Sequence, residues 1–329
     1  MKLADLGEFG FIDRIKAGVA AGSGVCLGIG DDCAVLDLPP GHQLVTTTDM
    51  LIEEIHFRRE WTDMADLGRK SVAVNVSDVA AMGGTPHHLY LSLGFPKTFP
   101  LEALDSFIKG FLAACRFYQV TLVGGDTCRS PGPFVISVTV EGSVPAGHFV
   151  TRGGARPGDA VYASGTLGDS ALALHLLAAG KTPDPFLRDR HVNPQARTRL
   201  GAALGQGRIP SAMIDLSDGL LADLGHILEC SATGALVEEE LLPLSPSFRA
   251  ALRESPELVR LALAGGEDYE LLFTVAPERE KDLPAVARQA SLPLSRVGRI
   301  TEPGAGLVVR AADGSTYRPA TGGFNHFRG

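Results

Sequence analysis

Cysteine is sparse and patternless in this chain of 329 residues. The five, Cys26, Cys33, Cys115, Cys128 and Cys230, form no C-x-x-C pair, and their number is odd. A disulfide framework and a structural zinc site are therefore excluded, and a reducing compartment fits. Each thiol is expected to be free and buried. Long apolar runs are missing as well. The longest near a helical pattern, 171–179, is interrupted by His175 and falls far below the roughly 18 to 20 residues of a membrane span. The opening MKLADLGEFGFIDRI has no basic segment leading into an apolar one, so no secretory signal is expected. A cytoplasmic protein that avoids membranes follows. No basic run offsets the net charge of -8, which disfavours a general nucleic-acid binder. An acidic protein that handles phosphates would need metal ions against the repulsion. Aromatic residues are few, at 6% with the single tryptophan Trp61.

The familiar phosphate-binding and nucleophile motifs are absent too. There is no G-x-x-x-x-G-K-[ST], no kinase H-R-D or D-F-G set and no G-x-S-x-G elbow, and glycines 22, 24, 28 and 30 do not form G-x-G-x-x-G. Any use of ATP must rest on another design. What is present is an ordinary globular composition, 45% apolar and 21% charged, with 39 glycines, which argues against disorder. The length suggests two domains. Apolar runs at 44–48, 120–123, 134–140 and 160–163 read as strands, and 101–118, 170–179 and 220–229 as helices. The fold class is α/β (α+β). The glycine-, proline- and arginine-rich GSVPAGHFVTRGGARPGD suits a linker, which divides the chain into 1–148 and 149–329.

One stretch, 65–82, admits two periods. Val72, Val74 and Val76 alternate as in a strand. As a helix it puts Ser71, Asn75 and Asp78 on one face, and length favours the helix. A polar stripe on an apolar helix needs partners: either hydrogen bonds within a core, or a metal or phosphate.

Aspartates recur in a common setting, after an apolar run and beside glycine, serine or threonine. They stand in GIGDDCAVL (Asp31, Asp32), TTTDM (Asp49), NVSDVAAMGG (Asp78), VGGDT (Asp126), IDLSDGL (Asp215, Asp218) and GGEDYEL (Glu267, Asp268). One such segment is an ordinary turn. Six point to a site, because a carboxylate at a strand end among small residues leaves room for magnesium, its waters and phosphate oxygens, and the neighbouring N–H groups can cradle phosphate. In IDLSDGLLADLGHIL, Ser217 can cap a helix with Asp218 in its first turn. Capping leaves Asp215 unexplained.

Taken together, GEFGFIDRI, GIGDDCAVL, TTTDM followed by IHF, RKSVAVNVSDVAAMGG, VGGDT, TRGGARPGD, SGTLGDSALAL, IDLSDGLLADLGHI, AGGEDYELLFTV and GGFNHF resemble the thiamine-monophosphate kinases. That family belongs to the superfamily of aminoimidazole ribonucleotide synthetase and selenophosphate synthetase. The segments span residues 7 to 327. The resemblance implies a two-domain fold, with an N-terminal ATP- and magnesium-binding domain whose sheets pair in a homodimer. It implies ATP-dependent phosphorylation of thiamine phosphate to thiamine diphosphate, with several Mg²⁺ ions. By the same resemblance Asp32, Thr47, Thr48, Asp49, Asp78, Asp126, Asp215 and Asp218 match metal positions. Gly125, Asp126, Arg152 and Ser217 match ATP contacts. His56, Glu267 and, in the tail, Phe324 match contacts to thiamine phosphate, whose thiazolium cation suits a carboxylate and an aromatic face. No protein nucleophile or general base is expected, because the acceptor phosphate is ionised near neutral pH. Selenophosphate synthetase would need a reactive Cys–Lys pair in the N-terminal loop, which GEFGFIDRI lacks. A non-catalytic scaffold would have lost several of the aspartates, and a two-metal phosphohydrolase would not need the acceptor.

Overall fold

Length settles the stretch with two periods. Met64–Ala81 is one eighteen-residue helix that buries Leu67, Val72, Val76 and Val79. Its polar stripe is hydrogen-bonded: Ser71 donates to the Leu67 carbonyl and Asn75 to that of Ser71. The structure is a computed structural model that describes residues 3–20, 22–29 and 33–319. It divides into two units, one running to Val79 and including Gly84–Gly147, the other taking Ala80–Gly83 and the chain from His148 onward.

The first unit holds α1 (Leu3–Gly18), β1 (Val25–Leu27), β2 (Val35–Leu36), β3 (His42–Ile52), α2 (the helix Met64–Ala81), β4 (Thr85–Phe95), α3 (Leu101–Tyr118), β5 (Thr121–Arg129) and β6 (Val135–Pro145). Four strands form a sheet in the order β3-β6-β4-β5. The pairs are antiparallel except β4 with β5, so β3 and β5 are its two edges. Alternation sorts its faces. Leu89, Leu91, Leu93 and Phe95 of β4, with Ile136, Val138 and Val140 of β6, are buried together with Leu104, Phe107 and Phe111 of α3. Phe134 packs against Phe95, Phe99 and Phe107. The intervening Tyr90 and Ser92, Ser137, Thr139 and Glu141 form a half-exposed polar face, and Met50 on β3 is 53% exposed.

The second unit holds β7 (Ala160–Ser164), α4 (Asp169–Ala178), α5 (Pro185–Val192), α6 (Thr198–Gly207), β8 (Ala212–Asp215), α7 (Leu220–Ser231), β9 (Gly234–Glu238), α8 (Pro246–Glu254), α9 (Val259–Ala264), β10 (Leu271–Val275), α10 (Leu283–Ala290), β11 (Leu294–Thr301), β12 (Leu307–Arg310) and β13 (Thr316–Tyr317). Seven strands run in the order β13-β12-β9-β11-β7-β10-β8, mostly antiparallel with β12 parallel to β9. The run LLFTV of β10 is buried throughout, because each face of the sheet meets its own core. Leu272 joins Ile214, Leu224 and Phe248 on one side. Leu271, Phe273 and Val275 join Leu200, Leu204 and Leu283 on the other. A strand covered on both faces reads as a continuous apolar run.

The thiols depart from expectation. Cys115 is buried, whereas Cys26, Cys33, Cys128 and Cys230 are exposed, since each of those four lies on an edge strand, a loop or the outer side of a helix end. Among the described residues no helix is long and apolar enough to cross a membrane.

Candidate active site

In the first unit the site is built where β3 lies over α2. Thr47 and Asp49, at alternate positions of the strand, lie on the side of α2, Thr47 half-buried and Asp49 exposed at its surface. The Thr47 hydroxyl donates to Asp78 Oδ2 at 2.5 Å, and the Asp49 N–H donates to Asn75 Oδ1 at 3.1 Å. The polar stripe of α2 thus meets the carboxylate of β3. The protein packed around Asp49, and then the nearby charge of Asp78, push its pKa up to about 6. Asp49, whose ionisation the charge of Asp78 opposes, stands with Asp78 beside a hydroxyl as a hard-oxygen donor set, which suits magnesium.

Thr48 points the other way. Its hydroxyl donates to the Val138 carbonyl and accepts from Thr139 at 3.0 Å. Asp126 lies on the far edge of the sheet. The register carries Asp49 across to Val138, then Leu91, then Gly125. Three strand spacings separate the edges, about 14 Å. Within one chain, therefore, Asp126 does not join Asp49 and Asp78. Gly125 has φ 154°, and a Cβ there would lie 1.9 Å from the Leu91 carbonyl oxygen, so no side chain fits at that position. His56 sits in the turn after β3, where its Nδ1 accepts from the Ile52 N–H at 3.0 Å. The neutral ring accordingly carries its proton on Nε2.

In the second unit a separate group gathers at the end of β8. Asp215 is the strand's last residue, paired with Leu271, and is buried. Beyond the strand the pairing with β10 continues through loops. Leu216 N–H donates to the Glu270 carbonyl, Tyr269 N–H to that of Leu216, and Glu267 N–H to that of Ser217, each at 2.8 Å. Gly266 allows this approach, since a Cβ there would lie 2.3 Å from the Ser217 carbonyl oxygen. Ser217 and Asp218 do not cap α7, contrary to the sequence expectation. The N-cap is Gly219, with no side-chain cap. The orphan N–H groups of Asp218 and Gly219 instead donate to Asp223 Oδ2, at 3.1 and 3.0 Å. Burial, and next the charge of Asp218, push Asp223 up to about 7, and Arg152 acts in the opposite direction. Arg152 is held by its backbone. Its carbonyl accepts from Ser231 Oγ, which in turn accepts from the N–H groups of Gly154 and Ala155.

Glu267 has φ 67° and Tyr269 φ 50°, both left-handed without being glycine, a conformation held only where the surroundings impose it. Beneath this loop is a charged network that sequence reading missed. The fully buried Glu270 receives Arg190 at 3.0 Å, both donor groups of Arg197 and the Ser164 hydroxyl. Asp268 Oδ2 accepts from the Gly168 N–H. Burial drives Asp268 up to about 7, while the next-largest influence, Arg190, pulls the other way. The signal for Asp223 was legible: it interrupts the apolar stripe of Leu220, Leu224 and Ile227. Arg190, His191 and Arg197 gave none, because the Glu267 and Glu270 carboxylates they meet lie some 70 or more residues away in the chain. Asp32 and Phe324 lie outside the described residues.

This two-unit chain, with Asp49 and Asp126 inside strands and Asp78 on a helix of one unit and an aspartate–serine–aspartate loop in the other, belongs to the AIR synthase related proteins. The N-terminal domain of that family matches residues 30–144 and its C-terminal domain residues 156–310. Within it the chain belongs to the thiamine-monophosphate kinase family. It is 40% identical to the thiamine-monophosphate kinase of Escherichia coli over 98% of both chains. The crystal structure of the Stenotrophomonas maltophilia thiamine-monophosphate kinase superposes with a TM-score of 0.83 at 40% identity, covering 94% of this chain and 97% of that one. AaThiL, solved in complex with AMPPCP and TMP, gives 0.77 at 35% identity over 99% of both.

Proposed function

We propose that the chain transfers the γ-phosphoryl group of ATP directly to the phosphate of thiamine monophosphate, yielding thiamine diphosphate and ADP, as a magnesium-dependent cytoplasmic homodimer. The observation that carries this reading is the paired carboxylates Asp49 and Asp78 with the Thr47 hydroxyl: a set that repels itself when ionised and is relieved by a divalent cation. Asp49, Asp78 and Thr47 in the first unit would hold magnesium, as would Asp215 and Asp218 in the second, and the resemblance assigns Thr48, Asp32 and Asp126 to the metals as well. When bound, the metal neutralises charge on the transferring phosphoryl group. Residues 1–148 are the magnesium, ATP and dimerisation domain, and 149–329 carry Arg152, Ser217 and Glu267.

The protein's own part is orientation. The acceptor is a phosphate monoester whose second pKa is about 6, so its attacking oxygen is already ionised at neutral pH and no side chain has to remove a proton. Arg152 offers a planar guanidinium to phosphate oxygens. Ser217 lines the nucleotide. His56, with its proton on Nε2, and Glu267 meet the thiamine phosphate, and Phe324 covers the cation. Bringing the groups into line supplies the rate.

The sheet supports the homodimer. Asp49 and Asp126 are assigned to one metal set yet stand on opposite edges of the same sheet. A two-fold partner whose β5 lies beside β3 brings the partner's Asp126 to Asp49 and pairs two open edges. Exposed thiols at Cys26, Cys33, Cys128 and Cys230 suit the reducing cytoplasm. The test is ADP release with ATP, with and without thiamine monophosphate, in magnesium and in EDTA. Release is expected only with acceptor and metal present, with sequential kinetics and no label on the protein from γ-labelled ATP. Release independent of the acceptor overturns the kinase reading in favour of a phosphohydrolase.

A further inference from the structure

The helix α5 is short and polar in sequence, PFLRDRHV, yet it buries both Arg190 and His191. The two side chains leave the helix about 100° apart and take different carboxylates of one loop. Arg190 goes to Glu270, which is wholly buried and also bound by Arg197. His191 goes to Glu267. Its Nδ1 lies 3.3 Å from Glu267 Oε2 and 3.0 Å from Ser170 Oγ. The histidine side chain is 7% exposed, while that of Glu267 is 25% exposed. The carboxylate therefore has one oxygen turned inward onto a buried ring, with part of the group still reaching solvent.

The rest of Glu267 is equally constrained. Its N–H is bonded to the Ser217 carbonyl, its backbone is left-handed, and Gly266 before it is pressed against that carbonyl. With the main chain fixed, the remaining freedom of Glu267 is the rotation of its side chain. An ionised carboxylate selects the tautomer of His191 that carries a proton on Nδ1, because a lone pair there would face a negative oxygen. Ser170 Oγ, at the start of α4, then accepts from that N–H at 3.0 Å and fixes the ring, while the Nδ1 edge stands 3.3 Å from Glu267 Oε2.

We infer that His191, steadied by Ser170, is a positioning residue that holds Glu267 Oε2 and so aims the carboxylate at the cationic part of the acceptor. The histidine does not touch the substrate. It sets where the negative charge stands, and hence the preference for an acceptor that carries a positive ring. This inference rests on the assignment of Glu267 to the thiamine phosphate. It makes α5, an element without any sequence motif, part of the specificity of the site.

The test is a double-mutant cycle of His191→Ala and Glu267→Gln in the full-length protein, read as KM for thiamine monophosphate, KM for ATP, kcat and melting temperature. His191→Asn joins the set, because its side-chain amide can place an N–H near the position of Nδ1. His191→Ala is expected to raise KM for thiamine monophosphate about tenfold, the order of a lost polar contact to a charged group, with KM for ATP unmoved. In the Glu267→Gln background the same change should add little, and His191→Asn should recover most of the affinity. If Glu267→Gln leaves KM for thiamine monophosphate unchanged, the assignment of Glu267 fails. If Glu267→Gln raises it but His191→Ala does not, or if the two effects multiply independently, Glu267 keeps its role and the positioning role of His191 is overturned. A lowered melting temperature with both KM values unmoved likewise reduces His191 to packing.

Discussion

The N–H of Glu267 donates to the carbonyl of Ser217 at 2.8 Å. One of these residues is assigned to the acceptor and the other to the nucleotide, and they are joined by a single backbone bond across fifty positions of sequence. Displacement of either loop is transmitted to the other, so substitutions in this part of the second unit are expected to move both KM values unless they act on a side chain alone.

Asp78→Asn is the plainest test of the metal set. It keeps the acceptor for Thr47 while removing a charge. Turnover is expected to fall by roughly 10²- to 10⁴-fold, since a metal clamp contributes several kcal/mol. The melting temperature should hold or rise, because Asp49 loses a repelling neighbour. Near-normal turnover at saturating magnesium would remove Asp78 from the site.

Subunit mixing tests the placement of Asp126. Asp49→Asn and Asp126→Asn are each expected to be inactive alone. If the two residues belong to one site across a two-fold axis, refolding an equal mixture gives mixed dimers with one intact site. About a quarter of wild-type activity should return, because half the dimers are mixed and each has one of two sites. No recovery would show that Asp49 and Asp126 do not share one site across the two-fold axis.

Asp223 should matter through the loop it closes. Asp223→Ala leaves the N–H groups of Asp218 and Gly219 without their acceptor. A lost cap costs about 1 kcal/mol, or roughly 2 to 4 °C in a domain of this size. KM for ATP should rise as Asp218 loosens. Asp223→Asn, which keeps an acceptor oxygen, is expected to restore the melting temperature. An Ala variant with unchanged stability and affinity would show that the loop is held by its contacts with β10 alone.

Asp268 gives a pH dependence of defined sign. Its pKa stands at about 7 in the native state, against roughly 3.9 for an unfolded aspartate. Between those values the native state holds a proton that the unfolded chain has released, so stability is greatest on the acid side and declines as pH rises from about 4 to about 7. Asp268→Asn cannot titrate. Its melting temperature should vary less than that of the wild type across that window, and an unchanged slope would show that Asp268 is ionised in the fold.

The parts of the fold that declared themselves in sequence are those governed by local period. The helix at 101–118 follows from Leu101, Leu104, Phe107, Ile108 and Phe111. The polar stripe of Ser71, Asn75 and Asp78 was visible before its partners were. The aspartates themselves were legible, but their setting was not: Asp215 ends its strand, whereas Asp49 and Asp126 lie inside theirs and Asp78 on a helix. Strand order was not legible. TTTDM and VGGDT look alike in sequence, and only the order β3-β6-β4-β5 sets Asp49 and Asp126 on opposite edges. Ser217 has the sequence of a cap, yet the N–H groups ahead of α7 go to Asp223, one turn further along the helix. Arg190, His191 and Arg197 were invisible for a related reason: their significance lies in carboxylates brought to them by β10.

Sealed between two cores, β10 also sets a clock. Its amides are bonded to β7 and β8, and each face is closed by a layer of helices. Their exchange with solvent deuterium requires the whole second unit to open, the slowest event available to it. The segment carrying Glu267 to Glu270 is the direct N-terminal extension of that strand. Ligands arriving there meet a loop tethered at its C-terminal end to the most slowly exchanging part of the unit. Any slowing of exchange on binding should accordingly be seen upstream of Leu271, with β10 itself already at its limit.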